Sequence, residues 1–341
     1  MVTIDDVAKK AGVSKATVSS VFSKKRPISK NVTERVLHVA KELNYMPNHV
    51  ARSLATKKTM IIGLKMPMRE FELSSFENKV INGVVTQCTK HGYRVLLDRI
   101  NDDMENDLMS KDPVDGIILY NLKNEDEWIE QLKRTNIPFV LIGRPNEADR
   151  DTKFVGNNNV EIVKEVVEFL IEKGHQDILF LNSALGMTVT EDRKEGLKQA
   201  FENYSLPFRE EAIVYNDPNK YEHASDYGYQ ATLERLESDK RYTAIIAETD
   251  RAAFGVLRAV RRLGVNIPND LSLVALSNNE TIASETNPRL TGVELFPEKL
   301  GEEAAKIVVN MLNNQLVPRE KIVPAKLIER NSCTQNQTNF P

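Results

Sequence analysis

At the head of the chain, Ile4, Val7, Ala8 and Ala11 recur at i, i+3, i+4 and i+7, a single apolar stripe along a short helix. Thr3-x-x-Asp6 in front of it has the form of a capping box, and Gly12 predicts its end. Ser14 is placed to cap a second helix running to about Phe22. That helix turns Val18, Val21 and Phe22 inward and carries Lys15, Ala16, Ser19 and Ser20 on its outer face. A third helix, starting near Ser29, shows Val32, Val36, Val39, Ala40 and Leu43 at helical spacing. Two short helices across a tight Gly turn, with a third to close the core, predict a small all-α helix-turn-helix domain over residues 1–46. From Met60 the pattern changes. Strand-like apolar runs at 60–66, 93–100, 116–121, 139–144, 178–183, 244–249 and 271–277 alternate with helical periods such as 161–173 and 252–263. That alternation predicts parallel sheets with helices on both faces, an α/β domain over residues 59–333.

Charge sharpens the division. The 341 residues carry a net charge of −3, yet residues 1–58 hold twelve Lys and Arg against four Asp and Glu, a net +8 that leaves −11 for the remainder. A basic module on an acidic body is the electrostatic footprint of phosphate-backbone binding by one end of the chain. No apolar run approaches the ~20 residues that span a bilayer, and the N-terminus reads as no signal peptide, so a cytoplasmic protein without membrane contact is expected. The two cysteines, Cys88 and Cys333, exclude a disulfide framework and are read as packing residues. A Gly-rich phosphate loop, a metal-ligand spacing and a nucleophile elbow are all missing from the sequence, and five histidines lie scattered along it. An enzyme is therefore not expected, nor any cofactor or metal.

Individual residues carry a closer likeness. Thr3-Ile-Asp-Asp-Val-Ala-Lys-Lys-Ala-Gly-Val-Ser-Lys-Ala-Thr-Val-Ser-Ser-Val-Phe, Arg26-Pro-Ile-Ser, Leu43-Asn-Tyr-Met-Pro-Asn and Ala51-Arg-Ser-Leu-Ala resemble the N-terminal signature of the lactose-repressor family. The resemblance implies that the helix after Ser14 enters the major groove of operator DNA. Lys15, Ala16 and Ser20 would then read base edges, and Thr17, Ser19, Ser14 and Tyr45 would position phosphates; Thr3, Asn48 and Ala51 complete the implied contact set. Ser20 departs from the longer residue many relatives carry. Pro47-Asn48 predicts an extended residue and then an N-cap for a helix through Thr56, too short to be stable alone. The family reading makes residues 47–58 a hinge that folds on DNA against a second subunit, with Leu54 inserted in the minor groove.

The body resembles the same family, which is similar to periplasmic sugar-binding proteins, through Asp115-Gly-Ile-Ile-Leu, Glu172-Lys-Gly-His-Gln-Asp-Ile, Pro268-Asn-Asp-Leu-Ser-Leu and Leu327-Ile-Glu-Arg-Asn-Ser-Cys. It implies a two-lobed, periplasmic-binding-protein-like effector domain, with crossings near residues 158, 290 and 320. The first lobe is placed at about 59–158 and 290–320 and the second at about 159–289 and 321–333, before a disordered tail over 334–341. Phe76, Asn121, Gly143/Arg144, Arg193, His223, Asp250, Ser277 and Asn278 are expected in the interlobe cleft, Asp250 alternatively as a helix N-cap. Gly143 and Ser277 stand where many sugar-binding relatives carry Asp. Losing two carboxylates would leave Arg144 and Arg193 less neutralised and favour a phosphosugar or acidic sugar, unless Glu77 or Glu248 replaces the missing acceptors. The expected protein is a homodimeric transcriptional regulator, most simply a repressor of a carbohydrate operon, that binds a palindromic operator and a sugar-type effector. The alternative is a carbon-catabolite regulator answering to a phosphoprotein.

Overall fold

A computed structural model describes residues 2–23, 26–46, 58–67, 73–100, 113–120, 126–146, 149–238 and 241–336. The chain forms two compact units, Met1–Met60 and Ile61–Pro341.

In the first unit, α1 (Ile4–Ala11) starts at a capping box: the Thr3 hydroxyl accepts from the Asp6 N–H, and the Asp6 carboxylate accepts from Thr3. Gly12 ends the helix at φ 63°, a left-handed conformation that glycine adopts without steric penalty. α2 (Lys15–Ser23) and α3 (Lys30–Glu42) follow. The predicted stripes meet as one core, in which Val7, Val18 and Val36 are fully buried and Val21, Val39 and Ala40 nearly so. Each such Val contributes on the order of 1.5–3 kcal/mol of burial.

The second unit contains two six-stranded sheets. The first comprises β1 (Ile61–Pro67), β2 (Arg94–Ile100), β3 (Gly116–Tyr120), β4 (Phe139–Ile142), β5 (Phe154–Gly156) and β11 (Glu320–Ile322), in the order β11-β5-β4-β3-β1-β2. The second comprises β6 (Ile178–Asn182), β7 (Ile213–Tyr215), β8 (Ala244–Ala247), β9 (Ser272–Ala275), β10 (Thr291–Glu294) and β12 (Lys326–Ile328), in the order β12-β10-β9-β8-β6-β7. Among the described residues only the β10–β12 pair is antiparallel. β3, β6, β8 and β9 are buried at every position. Helices cover both faces of a parallel sheet, so its strands read as continuous apolar runs rather than alternations.

The predicted strand runs all form, but most stop one or two residues early. Gly143–Arg144, Ser183, Glu248–Thr249 and Leu276–Ser277 therefore lie just beyond the carboxyl ends of their strands. The short strands β5, β7, β11 and β12 had no run long enough to mark them. β10 pairs with β9, which keeps Thr291–Glu294 in the second lobe. The chain thus crosses after β5, after β10 and again between β11 and β12, the last two crossings a few residues later than expected. The tail also needs correction: Thr334–Asn336 is packed. Asn336 is buried, its N–H donates to Lys173 O at 2.8 Å and its amide to Gly174 O at 3.0 Å. Burial pushes the Cys88 thiol up to about 12 and the Cys333 thiol up to about 11. Among the described residues no helix is long and apolar enough to cross a membrane, and no group of three potential metal ligands forms.

Candidate functional site

On α2, Ser14, Lys15, Ala16 and Ser19 are exposed and Thr17 and Ser20 half-buried. The Ser14 hydroxyl caps the helix by accepting from the Thr17 N–H at 3.1 Å. Lys15 reaches Asp5 at 2.9 Å, but both side chains are exposed and such a pair contributes little. The Ser20 hydroxyl donates to Ala16 O at 2.8 Å and accepts from Arg26 Nε at 3.0 Å. Tyr45 packs its ring against Phe22, centroids 5.8 Å apart, and burial raises its phenol pKa against the opposing charge of Lys15. Thr3 caps α1, and its bonds hold the Asp6 carboxyl below the usual range. Asn48, Ala51 and Leu54 lie outside the described residues, as does Asn121 of the expected cleft.

Between the two sheets of the second unit is a cavity of about 500 Å³, lined from both lobes at the carboxyl ends of the parallel strands. Phe76 stands at the start of the helix α4 (Ser75–Lys90) and packs against the apolar core of the second lobe. Arg144, just past β4, forks onto Asp192 of α7 (Thr188–Asn203), with Nε–Oδ2 at 3.1 Å and Nη2–Oδ1 at 2.5 Å. The Thr188 hydroxyl also donates to Arg144 O at 2.8 Å. These contacts join the lobes across the cleft.

Deeper in the cavity lie Arg193 and Glu248, 7% and 6% exposed. Arg193 Nη1 donates to the Ser183 hydroxyl at 2.9 Å, while its Nε has no partner. Glu248 accepts from Asn216 at 2.9 Å and from Ser183. Burial raises the Glu248 pKa, with Ser183, Arg193 and Asn216 opposing; burial lowers that of Arg193, with Glu248 and Asp192 opposing. The expectation that both arginines are left less neutralised is therefore corrected: Arg144 has Asp192, and Arg193 faces Glu248. Glu77 is committed to the capping box of α4 with Ser74.

Ser277 and Asp250 both line the cavity, but they bond to each other's elements. The Ser277 hydroxyl accepts from the Asp250 N–H at 2.7 Å. The N-cap of α9 (Asp250–Leu263) is Thr249, whose hydroxyl accepts from Ala252 N at 3.1 Å, so Asp250 is not the cap. Asn278 donates to Glu294 at 2.9 Å and accepts from Arg330 at 3.0 Å. His223 is exposed and outside the cavity lining. Its carbonyl accepts from the Asp226 and Tyr227 N–H groups at the start of the helix α8 (Ala224–Ser238).

Residues 3–48 match the family described as bacterial regulatory proteins, lacI family, and residues 167–333 a periplasmic binding protein-like domain. Catabolite control protein A of Priestia megaterium is 31% identical over 323 residues, covering 93% of this chain and 94% of that protein. The chain belongs to the lacI family. It is accordingly a DNA-binding transcriptional regulator and not an enzyme. The regulator MalR of Staphylococcus xylosus is 31% identical, covering 99% of each chain, and the repressor PurR of Yersinia pestis (strain Pestoides F) is 32% identical, covering 97% of each. A solved complex of the regulator CelR with cellobiose superposes with a TM-score of 0.74 at 25% identity, covering 97% of this chain and 100% of that one. The lac repressor dimer bound to operator shares the fold with a TM-score of 0.83 at 23% identity, covering 98% and 99%.

In this lacI-family body, the cavity gathers Phe76, Arg144, Arg193, Asp250, Ser277 and Asn278 and leaves out His223. Residue reasoning missed Ser183, Asp192 and Asn216. Ser183 and Asn216 each follow a strand directly, so the rule that ligands sit past strand carboxyl ends would have found them. Asp192 carried the weaker signal of adjacency to Arg193.

Proposed function

We propose that this chain is a repressor that binds a palindromic operator as a dimer and is controlled by a neutral, polyhydroxylated sugar in the interlobe cleft. The observation that carries the effector reading is charge pairing. The cavity lining holds four basic and five acidic side chains (Lys79, Arg144, Arg193 and Arg251 against Glu77, Asp192, Glu248, Asp250 and Glu294). A phosphate would meet buried carboxylate on arrival, and desolvating it there is costly. A neutral hydroxyl finds acceptors in Glu248 and Asp250, a donor in the unpartnered Arg193 Nε, and an aromatic face in Phe76. The phosphosugar alternative thereby gives way to a neutral ligand.

For DNA, Lys15 donates to a guanine edge and Ala16 touches a thymine methyl, while Ser14, Thr17, Ser19 and Tyr45 position phosphates. The dimer reading is supported by the first lobe, where the edge strand β2 exposes Leu96 and Leu97, and Val85 is exposed on the adjacent α4. Two-fold symmetry makes the operator a near-palindrome. Residues 47–58, the segment between the reading helices and the body, would transmit cleft occupancy to the reading helices.

Operator selection from a random library, followed by calorimetry with neutral mono- and disaccharides and their phosphate esters, tests this reading. The expected result is a palindromic operator and a neutral sugar that binds at least about tenfold more tightly than its ester and shifts operator affinity. A preference for the ester overturns the effector reading, and a non-palindromic selection overturns the dimer. The similarity to a catabolite control protein supports a second reading, control by a phosphoprotein partner. Thermal stabilisation by such a partner, with none by any sugar, would establish it instead.

A further inference from the structure

On the reading helix α2, the positions facing outward offer little with which to recognise a base. Lys15 is a single point donor, Ala16 has no polar atom, and Ser20 is already engaged. Its hydroxyl proton goes to Ala16 O at 2.8 Å, and its oxygen accepts from Arg26 Nε at 3.0 Å. Ser20 therefore acts as a tether. It holds an exposed guanidinium from outside the helix against the outward face of the helix itself. Of the five N–H donors of that guanidinium, Nε is used, and the four on Nη1 and Nη2 have no partner among the described residues. A planar fork of paired donors, fixed at one end, matches the O6/N7 edge of guanine.

We infer that Arg26 reads a guanine in each operator half-site, with Ser20 as its positioning residue, so that the short side chain at position 20 is compensated from position 26. This rests on the DNA-reading role proposed for α2. Only the Nε bond orients the fork, so Arg26→Lys, which keeps the charge and loses the paired donors, cannot replace it.

The test is operator selection and anisotropy titration on the full-length wild type, Arg26→Ala, Arg26→Lys and Ser20→Ala. Arg26 is exposed and Ser20 half-buried outside the apolar core, and circular dichroism would verify that each variant folds. Arg26→Ala and Arg26→Lys should both lose discrimination at one symmetry-related pair of G·C positions by about 5- to 150-fold, with other positions unchanged. Ser20→Ala should weaken the same preference to a smaller extent. A uniform loss over all sequences, rescued by Arg26→Lys and accompanied by a salt-dependence slope smaller by about one, would mean a phosphate contact and overturn the inference. An unchanged selection with Arg26→Ala overturns it as well. If the wild type itself selects no operator, the DNA-reading proposal fails and takes this one with it.

Discussion

Arg193 and Glu248 are opposite charges removed from water together, and burial pushes each toward its neutral form. Opposing that push are their mutual field, Ser183 between them and Asn216 on the carboxylate. Removing one charge of a buried pair leaves the other uncompensated. Glu248→Gln, which keeps the shape, should therefore cost about 3–5 kcal/mol of stability in urea unfolding and weaken sugar binding. The double change with Arg193→Met should cost less than the two single changes added together, and strict additivity would show the groups to be uncoupled. His175 makes a prediction about pH. Its Nε2 faces the carbonyl of Thr334 at 3.0 Å, which only accepts, so Nε2 carries the hydrogen and Nδ1 takes that of the Thr243 hydroxyl. Burial lowers the His175 pKa, against the Thr334 bond. The unfolded chain therefore takes up a proton near pH ~6.5 that the folded chain refuses. The stability contribution is complete above that pH and is lost as pH falls toward the folded value. Urea midpoints should drop from pH 7.5 to 5.5 in the wild type and drop less in His175→Gln; equal slopes would refute the assignment. At this scale the sequence motif marked Arg193, but not that residue 248 would face it, because an approach between residues 193 and 248 leaves no local pattern.

Helices in the body meet in pairs through glycine. Gly83 of α4 lies against α11 (Pro297–Leu312), and a Cβ there would fall 2.0 Å from Glu298 O. Gly301 answers from the other helix, where a Cβ would stand 2.2 Å from Val80 O. Both obstacles are backbone, so an added methyl must push the helices apart. That would also strain the bond from Asn82 to Glu298, now 2.6 Å. Gly83→Ala should destabilise the body by about 1–3 kcal/mol or more in urea unfolding. Gly63→Ala is the control, since its methyl would meet Val114 at 3.5 Å, an ordinary contact; equal effects of the two would sink the packing argument. The apolar period of such helices was legible because it repeats over several turns. The three-residue strands β5, β7, β11 and β12 were not, because pairing with a neighbour, not their own composition, makes them strands.

At the scale of the whole molecule, the two lobes of the body are tied by three crossings and by the Arg144–Asp192 pair across the cleft. The alternation of runs foretold parallel sheets and the family resemblance two lobes, but where the chain crosses depends on strand pairing, which displaced the second and third crossings. Asn157 laces the three together. It sits in the first crossing and donates its amide hydrogens to Leu295 O at 3.2 Å in the second and to Val323 O at 2.9 Å in the third. The Val323 N–H returns a bond to Gly156 O at 2.9 Å. Any rotation of one lobe on the other must bend these three strands together, so Asn157 sets how stiffly they bend. Asn157→Asp keeps the size but replaces both donors with a carboxylate facing two carbonyls. The variant should lose about 1–3 kcal/mol of stability through the unsatisfied groups. If lobe closure links cleft to operator, it should also change the coupling: the sugar-induced shift in operator affinity and the operator-induced shift in sugar affinity should change by the same factor, because coupling between two ligands is reciprocal. Calorimetry of sugar binding to the full chain with and without operator, and anisotropy on the operator with and without sugar, measure the two sides of that equality. A variant that loses stability while leaving both affinities untouched would show that the crossings hold the lobes together without taking part in signalling.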